Sequence, residues 1–165
     1  MIDKAMEMAS GTYCRRFVAP IFQRMIRAED AARMPDFSRH VWEGGICESW
    51  RHIGECVCIT CGEVKSWDSG IKGMHTGHFL ASRRNSILLV EENCAPQCSS
   101  CNFYRSGAAN EFRQWMLAVR GIKVVERIEA LKRESVTFDR EQLVDMRIEF
   151  ARRLKVAIET MKGEL

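Results

Sequence analysis

Apolar residues recur from Thr12 to Arg33 as Cys14, Phe17, Val18, Ile21, Phe22, Met25 and Ile26, with Arg15, Arg16, Arg24 and Arg27 between them. This three-and-four spacing predicts an amphipathic helix. Pro20 either starts a second helix in its first turn or kinks a continuous one. Met34-Pro35-Asp36 ends the pattern, and Phe37 to Cys56 keeps no sustained period and carries Gly44-Gly45. That stretch is expected to be an irregular insertion with short elements. Val64 to Trp67, Met74 to Leu80 and Ile87 to Val90 are short β-favouring runs, which predicts strand, loop and strand. Phe112, Trp115, Met116 and Val119 then share a helical face, Gly121 is a natural stop, and a second helix spans roughly Val124 to Arg133. The last helix has a clear start: Asp139 can cap it, Gln142 falls three residues later, and Phe138 can staple against Leu143. Val144, Ile148, Ala151, Leu154, Ile158 and Met161 are its expected seam against the protein's own helices.

Composition narrows the class. A chain of 165 residues, 46% hydrophobic, suits one domain with appended helices. Twenty-five basic against 22 acidic residues leave a formal charge of +3, which permits a nucleic-acid partner without requiring one. Met1 to Ser10 lacks the apolar core of a signal peptide, so the eight cysteines point to a reducing, cytoplasmic setting with bound metal, not to disulfides. No run approaches the roughly 18 apolar residues of a membrane span, and no membrane partner is expected.

The chemistry concentrates in two Cys-x-x-Cys knuckles, Cys58/Cys61 and Cys98/Cys101. Each short turn can point two thiolates at one ion, and four thiolates make a closed tetrahedral zinc site, a structural staple. Cys56 could replace Cys58 only with a longer, less usual loop. Cys14, Cys47, Cys56 and Cys94 have no paired spacing and are expected to be buried free thiols. Residues 62–97 separate the knuckles, enough to display something, and His78 in Gly77-His78 is the candidate.

The unit Glu92-Asn93-Cys94-Ala95-Pro96-Gln97-Cys98-Ser99-Ser100-Cys101-Asn102 resembles the second half of a zinc-containing HNH motif, of the ββα-metal or His-Me finger nucleases. Cys58-Ile59-Thr60-Cys61-Gly62 and Thr76-Gly77-His78-Phe79 precede it in that family's order. More narrowly, the chain resembles the phage NinG family of recombination proteins, which includes Rap. That resemblance rests on Ile26-Arg27-Ala28-Glu29-Asp30, Gly77-His78-Phe79, Asn93 to Asn102, and Ser106-Gly107, and covers about Arg24 to Phe112.

The resemblance implies an α+β fold: a small zinc-stapled ββα-metal (HNH) finger at 58–112, flanked by N-terminal helices and an insertion at 1–57 and by C-terminal helices at 113–165. It implies an endonuclease in which His78 is the general base for the attacking water, suited to that task as a neutral imidazole near pH 7. Asn102 would place a catalytic magnesium or manganese ion, and Asn93 would brace the histidine loop. Many relatives have Asp or His just before the histidine as a second metal ligand. Gly77 stands there instead, with His75 and Asp68 as substitutes. Asn102 could equally cap the helix after the knuckle. Arg83, Arg84 and Arg105 are candidate contacts to the DNA backbone. Trp42, Trp50 and Trp67 suit core packing better than stacking on bases.

Two further functions compete with this endonuclease, which would act on branched recombination intermediates such as Holliday junctions, as a homodimer or with recombination proteins. One is a catalytically degenerate zinc module that binds DNA or a recombinase. The other is a nuclease reading duplex sequence, for which no recognition helix is evident.

Overall fold

The computed structural model describes residues 10–68, 70–81 and 85–163. Helix α1 (residues 10–32) is continuous. It widens at Cys14–Val18 into a π turn, where Ala19 N–H donates to the Cys14 carbonyl. The turn lies directly before Pro20, whose ring would otherwise press on the carbonyl four residues back, so the helix absorbs the proline without breaking.

The 37–56 stretch is not irregular. β1 (Asp36–Trp42) and β2 (Gly45–Arg51) form a long antiparallel hairpin in which Phe37 pairs with Trp50 and Trp42 with Gly45. Glu43 and Gly44, at φ 46° and 80°, make its two-residue turn, a primed turn whose twist matches the strands. Arg51 ends the hairpin fully buried, with Nε 2.8 Å from Asp36 and guanidinium bonds to the Met34 and Glu55 carbonyls.

β3 (Glu55–Val57) and β4 (Val64–Ser66) enclose the first knuckle. β5 (Met74–His78) follows as expected, but its partner is β6 (Cys94–Cys98). Residues 87–90 form no strand: α2 (Asn85–Leu88) is a single helical turn, and Glu91–Asn93 is a 3-10 turn. Pro96 fits β6 because this sheet has two strands, so β6 is ladder-bonded to β5 alone. Short helix α3 (Ser100–Tyr104) comes next, then α4 (residues 109–120), α5 (Ile122–Leu131) and α6 (Arg140–Lys162).

Three apolar clusters join these elements. Tyr13, Phe22 and Met25 of α1 pack on Leu143, Phe150 and Leu154 of α6. Val41 and Ile59 meet Phe112, Trp115 and Ile128 from α4 and α5. Ala31 and Met74 surround the knuckle cysteines. The capping box of α6 forms, with Asp139 accepting from Gln142 N–H and Gln142 returning a bond to Asp139 N–H. Its seam is rotated from the expected stripe. Leu143, Phe150, Leu154 and Ala157 are buried, whereas Val144, Ile148 and Ala151 face outward. No described helix is long and apolar enough to cross a membrane.

Candidate metal centre and histidine loop

Cys58, Cys61, Cys98 and Cys101 converge from the two knuckles, their sulfurs all within 4.8 Å of one another. The Cys61 and Cys98 sulfurs stand 3.7 Å apart. Four sulfurs at about 2.3 Å from a tetrahedral ion would be separated by about 3.8 Å, so the spacing suits a metal such as zinc. Cys58, Cys61 and Cys98 differ in their hold on protons. Hydrogen bonds from Cys61 and Thr60 bring Cys58 down to about 4, whereas the bond to Cys58 raises Cys61 and burial raises Cys98 to about 12. A soft divalent cation at this cluster would be held by all four cysteines as thiolates. Thr60 Oγ1 lies 3.3 Å from the Cys58 sulfur, and Cys101 N–H donates to the Cys98 sulfur. Cys56 stays outside the cluster and donates to the Arg27 carbonyl. Cys14, Cys56 and Cys94 are buried free thiols as expected; Cys47, cross-strand from the buried His40, is exposed.

His78 ends β5 opposite Cys94. Its ring is largely buried, and Nε2 is enclosed without a hydrogen-bond partner among the described residues. Burial lowers its pKa below the usual imidazole value, and the Leu88 backbone opposes part of that shift. Asn93 is fully buried and spends its amide on backbone groups of the loop after β5. Its Oδ1 accepts from Leu80 N–H at 2.9 Å, and Nδ2 donates to the Leu80 and Ile87 carbonyls at 3.3 and 3.1 Å. Phe79 N–H also donates to the Asn93 carbonyl, so the chain leaving His78 is pinned at two successive residues.

Gly77 is explained by Gln97. A Cβ at 77 would meet Gln97 Oε1 at 2.1 Å and Cδ at 2.6 Å. Gln97 is fully buried and donates to the Gly107 carbonyl and to Thr60 Oγ1. Neither substitute ligand is free. Asp68 pairs with Arg24 at 2.9 Å, while His75 bonds the Ile71 carbonyl and stacks on Phe103.

Asn102 lies inside α3, whose first flanking residue is Ser99, so it caps neither this helix nor α4. No described residue hydrogen-bonds its amide, and α3 packs on β5 through the His75–Phe103 contact. Arg105 pairs with Glu111 and points Nη1 at the Cys101 sulfur, 3.7 Å away. Arg83 and Arg84 lie outside the described residues. Trp67 packs inward, but Trp42 and Trp50 are exposed on the hairpin, contrary to their expected core role.

Two supports were not read from the sequence. Arg27 donates to Thr76 Oγ1 of β5 and to the Trp67 carbonyl, locking α1 to the histidine strand. Arg153 forks onto Glu29 of α1 and Glu91, two residues before Asn93. The Ile26–Asp30 segment signalled the first, whereas Arg153 had no local signal because its partners are distant in sequence.

Comparison with curated proteins and with solved structures gave no match. The family described as bacteriophage lambda NinG protein matches residues 46–159, which takes in both knuckles, the histidine loop and most of α6 but not the Ile26–Asp30 segment. With the greater part of its length covered, the chain belongs to the NinG family.

Proposed function

We propose that this NinG-family chain is a metal-dependent DNA endonuclease of the HNH type, acting on branched recombination intermediates. The observation that carries the reading is His78: a largely buried imidazole whose Nε2 has no partner among the described residues, at the end of a strand stapled to the four-cysteine cluster and in a loop braced by Asn93. β5, β6 and α3 follow as strand, strand and helix, with α2 and a 3-10 turn between the strands, which supports a ββα-finger reading.

In this reading Nε2 takes the proton of the attacking water. The lowered pKa keeps the ring neutral and proton-accepting at neutral pH. Asn93 fixes the turn so that the ring is already oriented, which lowers the entropy lost on reaching the transition state. A magnesium or manganese ion, with Asn102 as its protein ligand, would offset charge on the phosphate and the leaving 3′ oxygen. Because Gln97 fills the space a side chain at 77 would need, the remaining ligands would come from phosphate and water. Arg83, Arg84 and Arg105 are assigned to the DNA backbone, Arg105 after release from Glu111. Paired nicks across a junction would require two chains.

The same Gly77–Gln97 contact favours a second reading, a zinc-stapled DNA-binding or recombinase-partner module without catalysis. Cleavage of a labelled four-way junction beside a linear duplex of the same sequence, with magnesium or manganese, separates them. The nuclease reading expects preferential cutting of the junction with 5′-phosphate and 3′-hydroxyl ends. Binding of both DNAs with no cutting under either ion would leave the second.

A further inference from the structure

Phe37 of β1 and Trp50 of β2 are cross-strand partners, with ring centroids 5.0 Å apart at 70°. Both stay open to solvent, at 59% and 46% exposure. The opposite face of the hairpin carries His40, which is buried over Gly62 of the first knuckle. Docking there does not use the aromatic pair. Further along the pair's own face, Arg39 stands opposite Glu48, and Val41 enters the core.

A cleft of about 450 Å³ opens beside the pair. Phe37, Arg33, Arg39, Trp115, Arg120 and Pro96 of β6 line it together with the carboxylates Asp30 and Glu48, while Trp50 stands outside the lining, its ring against Phe37. The arginines are unevenly engaged. Arg33 holds Asp30 at 2.8 Å, Arg39 reaches Glu48 only at 3.6 Å, and Arg120 makes no ion pair among the described residues. Instead, the Arg120 guanidinium lies over the Trp115 ring, 5.5 Å from its centroid.

Open aromatic faces beside arginines in a concave surface suit flat bases on an anionic backbone. Duplex DNA keeps its base faces stacked and offers only phosphates and groove edges to such a surface. A wholly apolar protein segment would leave the arginines without partners. We infer that this cleft binds unpaired nucleotides, a base stacking on Phe37, whose ring Trp50 supports from outside the cleft, and phosphates meeting Arg39 and Arg120. Ala95 of β6 also lines the cleft, and it and the adjacent Cys94 pair with Gly77 and His78 of the candidate centre. The inference rests on the nuclease reading only for why unpaired nucleotides are presented: a branch point exposes them and a linear duplex does not.

The test is fluorescence anisotropy with the full zinc-loaded chain and no added magnesium, using a labelled oligothymidylate and a blunt duplex of equal length. Phe37→Ala, Trp50→Ala and Arg120→Gln are compared with wild type. All three change exposed groups, so zinc content and thermal midpoint serve as folding controls. Each aromatic variant should lose about tenfold in affinity for oligothymidylate and keep its affinity for the duplex. Unchanged oligothymidylate binding in the aromatic variants, or an equal loss on both DNAs, overturns the inference. So does sedimentation showing that Trp50→Ala splits a dimer while binding is unaltered, because the face would then serve self-association. Failure of the nuclease reading is distinct: wild type would cut no DNA, yet the aromatic variants would still lose oligothymidylate.

Discussion

Gln97 lies over Gly77 so closely that a Cβ at position 77 would fall 2.1 Å from Gln97 Oε1. Gln97 cannot swing aside without giving up its bonds to the Gly107 carbonyl and Thr60, which tie the second knuckle to the first. The missing side chain before His78 is therefore a packing requirement of this chain. Gly77→Ala should destabilise the protein by about 1 to 3 kcal/mol through overpacking, read as a lower midpoint in chemical denaturation. Gly77→Ala combined with Gln97→Ala should recover part of that loss. Equal stability of Gly77→Ala and wild type would mean that Gln97 yields freely.

The four-cysteine cluster should bind one zinc per chain, and serine at Cys58, Cys61, Cys98 or Cys101 should abolish the stoichiometry and the cooperative unfolding transition. Serine at Cys94 or Cys47 should leave the zinc content at one. Metal analysis by mass spectrometry beside thermal melting checks both halves, and a zinc-loaded Cys98→Ser protein would contradict the site.

Asn93 makes three amide hydrogen bonds with no exposure to solvent. Asn93→Ala strands the Leu80 N–H and the Leu80 and Ile87 carbonyls and should cost about 3 kcal/mol. Hydrogen exchange should show faster opening at Leu80 while the α1–α6 interface keeps its protection. Uniform loss across the chain would instead show that the brace supports the whole fold.

Much of this architecture was legible because it is local. The α6 capping box needs Asp139 and Gln142 three residues apart, and the zinc cluster needs two tight knuckles, both readable from spacing. The hairpin was missed because both its faces are partly used: His40 and Arg51 are buried on one, Val41 on the other, so no clean alternation survives. Ile87 misled because a run of four apolar residues fits a strand or a helical turn equally. Asn93 accepts the helical alternative by donating to the Ile87 carbonyl. Arg153 could not be found locally, since Glu29 and Glu91 meet it only after α1 and α6 pack.

That Arg153 fork should behave as a unit. Arg153→Met would leave Glu29 and Glu91 facing each other without a cation and should destabilise the chain by about 2 kcal/mol. Adding Glu29→Gln and Glu91→Gln should return most of the loss. An additive set of changes in denaturant midpoints would deny the coupling.

His78 has a depressed pKa because burial disfavours its charged form. Its contribution to stability is full above the unfolded imidazole value of about 6.5 and is lost as pH falls through the lower folded value. Cleavage should follow the same limb, with the rate flat near pH 7 and falling only below the usual imidazole range. NMR titration of the His78 ring checks the direction, and a midpoint above 6.5 would contradict it.

The role proposed for His78 is to take the proton of the reacting water. Its most direct test is to measure binding and single-turnover cutting of the same four-way junction by wild type and zinc-loaded His78→Ala, in magnesium. Junction affinity should stay unchanged while cutting falls by at least about 100-fold, the scale of a lost general base. Cutting by His78→Ala within a few-fold of wild type, at normal zinc content, would contradict it.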